Sequence, residues 1–253
     1  MQWWESIVVA FSMYSKIPMP QIKWTKENMR YTLCFFPLVG VAIGAVMWLW
    51  CLASQALEMG SDLRAAVYVL IPVLISGGIH LDGLLDTADA LSSWQTKERR
   101  LEILKDSHAG AFAVITGCAY FLALFGIWTE ADERSVAVLG LGFVLSRTLN
   151  GFGICTFPCA KGSGLAATFS EAADRRRCRI CLTIEAAVCI FGMIFLDWQR
   201  GLLAAAAAIL VCVLCRRMAM RKFGGITGDI QGFFLQMCEL AMAYVVVFYS
   251  MIS

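Results

Sequence analysis

Residues 77–90 read GGIHLDGLLDTADA and place Asp82, Asp86 and Asp89 at i, i+4 and i+7, directly after an apolar run. At ~100° per residue on a helix, three carboxylates so spaced fall within about 60° of one another around the axis. Like charges at i, i+4 destabilise a helix by roughly 0.2–0.5 kcal/mol, and no Lys or Arg stands four residues from any of the three. A stripe of hard oxygen donors suits a divalent cation, and Mg²⁺ is the one that accompanies phosphate chemistry. We therefore read Asp82, Asp86 and Asp89 as metal ligands. His80 projects about 160° from Asp82 at the same helical step. It reads as a hydrogen-bond donor to a ligand or as a structural cap.

Three further polar segments carry chemistry-bearing residues. Lys105-Asp106-Ser107-His108-Ala109-Gly110 precedes an apolar run. There Asp106 suits either the cap of the following helix or a metal or proton role. Lys105 suits a phosphate, and His108 a proton. The loop Phe157–Leu165 joins Lys161 and Ser163 to glycines, a phosphate cradle in composition but without the GxxxxGK[ST] order. Gly224-Gly225-Ile226-Thr227-Gly228-Asp229 offers a tight backbone beside a ligand, with Thr227 and Asp229 as its polar groups. Deeper in apolar sequence stand Arg147 and Glu239. Charges at membrane depth face a partner or a wet cavity; for Arg147 the alternative is snorkelling to the membrane edge, and Glu239 is a candidate mate.

The elements that must position these residues are membrane helices. Of 253 residues, 59% are hydrophobic and 16% charged, and the mean hydropathy is +0.70. Soluble domains average about 25% charged residues, so lipid must solvate the excess apolar surface. The sequence predicts an all-α, polytopic transmembrane bundle forming one integral membrane domain over residues 1–253. Apolar runs at 31–55, 65–79, 111–129, 136–152, 180–197, 201–215 and 230–251 give about seven spans, with six to eight as the range. The pair meeting at Asp197–Gly201 is the shortest-linked. The N-terminus has Trp3, Trp4 and Glu5 where a signal peptide carries basic residues, so the first helix itself directs insertion.

Charge orients the bundle. Segments 16–30, 80–110, 153–179 and 216–230 carry 4, 4, 5 and 4 basic residues, whereas 56–64, 130–135 and 198–200 carry Arg64, Arg134 and Arg200 alone. By the positive-inside rule the N-terminus and all the polar motifs face the cytoplasm. A net charge of +2 offers nothing to nucleic acid. The eleven cysteines, including the CxxC pairs Cys178/Cys181 and Cys212/Cys215, lack a second ligand pair at zinc-finger spacing and read as structural thiols. Gly40/Gly44 and Ala204–Ala208 read as helix-packing surfaces.

These motifs, in order, resemble the cobalamin synthase (adenosylcobinamide-GDP ribazoletransferase) family. The resemblance runs from FSMYSKIPMP (residues 11–20) through FPLVG (36–40), GGIHLDGLLDTADA, KDSHAGAFAV and the 157–169 loop to GGITGDIQG. HLDGLLDTADA is the specific block. The chain departs from the commoner pattern at His108, where Arg is frequent, and at Leu85, where Ala is frequent. The resemblance implies a Mg²⁺-dependent membrane transferase. Such an enzyme moves the adenosylcobinamide-phosphate group from adenosylcobinamide-GDP to α-ribazole or its 5′-phosphate and releases GMP, late in cobalamin biosynthesis. It implies a bacterial inner membrane, with a homo-oligomer or an association with other cobalamin-assembly enzymes as further expectations. Mapped onto that chemistry, Asp82, Asp106, Asp229 and Lys105 are the catalytic candidates. His80, His108, Lys161, Ser163, Thr227 and Arg147 are the substrate-binding candidates. A CDP-alcohol phosphotransferase also binds a divalent cation on helical aspartates, but its DxxDGxxAR pattern is absent. A transporter would explain Arg147 and Glu239, though not four polar motifs on one face.

Overall fold

The computed structural model describes residues 2–106, 108–160 and 164–252. Among them the chain forms helices and no strand. Helix α1 (Gln2–Tyr14) leads through the short α2 (Lys26–Met29) to α3 (Thr32–Ala56), and α4 (Ser61–Ser76) follows. Next come α5 (Ile79–Ser92) with the acidic stripe, the short α6 (Lys97–Ile103), α7 (Ala111–Thr129) and α8 (Glu133–Thr156). The short α9 (Leu165–Ala172) precedes α10 (Arg175–Leu196), α11 (Trp198–Lys222) and α12 (Gly228–Ile252). Helices α3, α7, α8, α10, α11 and α12 are each long and apolar enough to cross a membrane, and α4 with α5 makes a bent seventh candidate. The expected helical bundle and its six-to-eight range hold.

Helix α8 is the axis of the bundle, packed by α3, α10 and α12. Close packing needs small residues, and the sequence supplies them. A Cβ on Gly44 of α3 would come within 2.6 Å of the Gly140 carbonyl oxygen of α8, and Gly40 meets the Phe143 carbonyl in the same way. The Gly40/Gly44 spacing is thus a packing surface, as predicted; Ala204 and Ala208 are likewise fully buried. Outward faces are apolar. Leu122, Phe191 and Phe195 are 72%, 70% and 81% exposed, which is stable only against lipid.

The Asp197 junction makes α10 and α11 two separate spans. Asp197 caps α11 by accepting from the Arg200 N–H at 3.1 Å, and Gly201 lets the two backbones touch at Met193. Arg200 in turn donates to Asp132 at 2.8 Å, tying this turn to the start of α8. Cys178 lies against Cys34 and Cys155, and Cys34 against Cys181, so the CxxC pair joins thiols from α3 and α8. All eleven cysteines are free.

Candidate active site at the α5–α12 junction

The acidic stripe owes its position to a chain break. Gly77 and Gly78 take φ of +66° and +77°, left-handed values that cost other residues about 1–2 kcal/mol. Across them the chain turns by 96° between α4 and α5. Helix α5 then lies against the first turns of α12, closely enough that only glycine fits. A Cβ on Gly83 would stand 2.6 Å from the Asp229 carbonyl oxygen, and one on Gly232 would stand 2.9 Å from that of His80. HLDGLLD and GGITGDIQG, 140-odd residues apart on the chain, thereby form one site.

That junction gathers carboxylates. The charges acting on Asp86 are those of Asp82, Asp229 and Asp89. Among the described residues no basic side chain pairs with any of these four acids. Asp82 is exposed, while Asp86, Asp89 and Asp229 are half-buried. Acids that repel one another and lack a cation are oxygen donors of the kind a hard divalent ion takes. As placed, no three Asp, Glu, His or Cys side chains among the described residues already converge on one point.

Asp89 has a second task. Its two oxygens accept from the Gly110 N–H at 2.5 Å and the Ala113 N–H at 2.9 Å. The N-cap residue of α7 is Gly110, with no side chain to cap the helix. Asp89 therefore supplies the cap from another helix, at the positive end of the α7 dipole. Asp106, the cap expected from sequence, does not serve. It instead accepts from His108, ring Nδ1 at 2.8 Å and backbone N–H at 3.0 Å. Those two contacts hold its carboxyl below the usual carboxylate range. Both side chains face solvent, at 59% and 90% exposure, and bond to each other rather than to the four clustered acids.

Two cavities meet at Asp229. One, of about 180 Å³, is lined by Tyr14, His80, Asp82, Asn150, Asp229 and Gln231. The other, of about 310 Å³, is lined by Lys105, Thr227, Asp229 and the start of α9. Lys105 thus stands in the neighbourhood the sequence assigned it. His80 is 5% exposed, stacks on Tyr14 at 6.1 Å between centroids, and leaves Nδ1 without a partner. Thr227 caps α12, accepting from the Ile230 N–H at 3.2 Å and donating to Asp229 at 3.3 Å. The tight backbone at Gly225 serves the protein itself: reciprocal bonds of 2.9 Å join Ile226 to Pro158 and Ala160. Those bonds fasten the 157–160 loop to the GGIT segment. Lys161 and Ser163 lie outside the described residues.

Arg147, a substrate-binding candidate by sequence, is engaged within the protein. Its side chain is 1% exposed and pairs with Glu239 at 2.7 Å, while Ser146 donates to the same carboxylate at 2.9 Å. The guanidinium also donates to the Phe143 carbonyl. Buried ions persist when paired and supported by further hydrogen bonds. This pair therefore explains both intramembrane charges without a transport path. Sequence reasoning missed Tyr14, Asn150 and Gln231. The Asn150 side-chain amide donates to the Gln231 backbone carbonyl at 2.7 Å, and the Gln231 side-chain amide donates to the Asn150 backbone carbonyl at 3.4 Å, joining α8 to α12. A polar amide within an apolar span was the available signal.

Comparison with known proteins gives one answer. The family model described as cobalamin-5-phosphate synthase matches residues 6–247. Similar proteins include an adenosylcobinamide-GDP ribazoletransferase of Lachnoclostridium phytofermentans, 44% identical over 98% of this chain and 95% of that protein. Proteins of the same name from Clostridium botulinum strain Alaska E43 and Desulfitobacterium hafniense are 31% and 32% identical. They cover 93% and 92% of this chain and 94% and 92% of their own lengths. No solved structure matches.

Proposed function

The chain belongs to the cobalamin-5-phosphate synthase family of transferases, and we propose that its reaction joins adenosylcobinamide-GDP to α-ribazole or α-ribazole 5′-phosphate with release of GMP. The observation that carries this is the meeting of Asp82, Asp86 and Asp229 at the α5–α12 junction without a basic partner among the described residues. A pyrophosphate substrate brings negative charge of its own, so such a site works only with a cation. Mg²⁺ held by Asp82 and Asp86 would neutralise the diphosphate and the departing GMP. Asp89 keeps α7, and with it the Lys105 segment, against this cluster.

The remaining steps fall to side chains. Lys105, in the larger cavity with Asp229, binds phosphate oxygens. Asp229, at the seam of both cavities, accepts the proton of the attacking ribose hydroxyl. The hydroxyl oxygen bonds to the phosphorus that carries the aminopropanol ester. The P–O–P bridge breaks, and its electron pair leaves on GMP. His80 and Tyr14 wall the smaller cavity. Cavities of about 180 and 310 Å³ suit the diphosphate and a nucleoside, leaving the corrinoid outside. The positive-inside rule supports a cytoplasmic orientation for this face, and the reading puts it in a bacterial inner membrane.

The test is GMP release from adenosylcobinamide-GDP by purified protein. Turnover should require both α-ribazole and Mg²⁺, and Asp82→Asn and Asp86→Asn should each lower it at least about 100-fold without loss of folded protein. Near-normal, Mg²⁺-dependent turnover in both folded variants would sink the assignment.

A further inference from the structure

Helix α10 begins with four arginines in five positions, and the structure divides them into two kinds. Arg175 donates to the Ser170 carbonyl at 2.9 Å. Arg177 pairs with Asp174 at 3.6 Å and donates to the Tyr31 hydroxyl at 2.8 Å. These two turn toward the protein. Arg176 and Arg179 turn the other way and line a shallow groove of about 470 Å³ with Ile180, Thr183 and Ile184. Among the described residues, no carboxylate pairs with Arg176 or Arg179. Arg179 spends its Nε–H on the Arg175 carbonyl at 3.2 Å, which leaves the fork of its guanidinium outward.

The groove has two chemistries in register. At its polar end stand two guanidiniums, one turn apart on the helix. Thr183 lies beside them, its hydroxyl hydrogen given to the Arg179 carbonyl at 2.7 Å and its oxygen still able to accept. One turn further, Ile180 and Ile184 are 54% and 59% exposed, followed by the exposed Val188, Phe191 and Phe195. A free anion would use the first part and leave the isoleucines unused. A molecule with an anionic head and a hydrocarbon chain uses both. Helix α10 is also among the least buried of the candidate spans, so its neighbour along this face is the bilayer.

We propose that this groove holds one anionic phospholipid, its phosphate between Arg176 and Arg179 and one acyl chain along Ile180 and Ile184. The groove shares no lining residue with the cavities at Asp229, and it takes no part in the transfer itself. The lipid comes from the leaflet that contacts the basic ends of the helices.

Native mass spectrometry of detergent-solubilised protein, titrated with dioleoyl phosphatidylglycerol or dioleoyl phosphatidylcholine, tests it. The first phosphatidylglycerol should bind about thirtyfold more tightly, at roughly 1 kcal/mol per basic side chain. R176Q/R179Q should remove that preference, and R176Q alone should remove part of it. R217Q/R221Q, exposed arginines of α11, should leave it intact. Millimolar inorganic phosphate should fail to displace the lipid. Equal affinity for the two lipids, an equal loss in R217Q/R221Q, or displacement by phosphate would each overturn the proposal, the last by making it a simple anion site.

Discussion

Asp89→Ala separates two roles that a stripe of acids confounds. The wild-type carboxylate accepts from the Gly110 and Ala113 N–H groups at the start of α7. Alanine leaves both donors without that acceptor in a half-buried place. Loss of a side-chain cap costs about 0.5–2 kcal/mol, and a hydrogen bond to a charged group is worth about 1.5–3 kcal/mol. These overlap, so a loss of about 2–3 kcal/mol is expected. For a chain of this length that corresponds to an apparent Tm lower by roughly 5–10 °C. Asp82→Ala removes like-charge repulsion and no hydrogen bond, so its Tm should equal or exceed that of the wild type. Thermal unfolding followed by a thiol-reactive fluorophore reads the stability. The Mg²⁺ dependence of GMP release on the surviving folded protein reads the chemistry. Asp89→Asn keeps one acceptor oxygen and should fall between. If Asp89→Ala unfolded at the wild-type temperature while its Mg²⁺ requirement rose tenfold or more, Asp89 would be a ligand and the capping argument would be wrong.

Other outcomes follow from the same geometry. Arg147→Leu or Glu239→Leu alone should cost about 3–5 kcal/mol by leaving a buried charge unpaired, whereas the double variant should recover most of it; chemical denaturation of the three proteins measures this. Gly83→Val should separate α5 from α12, because a Cβ there already stands 2.6 Å from the Asp229 carbonyl oxygen; turnover should fall more than Tm. His108→Ala should let the Asp106 carboxyl rise back toward its ordinary range, as carbon-13 NMR of labelled aspartate would report. Because that carboxyl is ionised at neutral pH either way, GMP release there should not change. Asp106→Asn should be equally silent; a hundredfold loss would return Asp106 to the site.

Much of this was legible in the sequence because the membrane imposes strong patterns. Long apolar runs gave six of the crossings, and the small residues at Gly40 and Gly44 marked a helix contact. The stripe was visible because three acids without a partner are rare on a helix. Its partner Asp229 was visible only as a polar residue in a glycine-rich segment. Periodicity could not reveal that Gly83 and Gly232 press α5 onto α12, since long-range contacts leave no local trace. For the same reason Asp106 looked like a cap: it sits close in sequence to α7. The true cap stands 21 residues away. Arg147 looked like a ligand contact because a charge in an apolar span invites one. Its mate Glu239, 92 positions on, was nameable only as the other charge in apolar sequence, since no spacing rule joins them.

The Asp132–Arg200 contact has a bearing on how the α10–α11 hairpin is held. Asp197 and Arg200 sit in the turn of the α10–α11 hairpin, at the opposite end of both helices from their clustered basic residues. Arg200 has Asp197 three residues away, 3.5 Å between their charged groups, so the turn carries little net charge. Asp132, at the head of α8, accepts from Arg200 at 2.8 Å from 68 residues earlier in the chain. The ion pair thus latches the α10–α11 turn to the helix at the centre of the bundle.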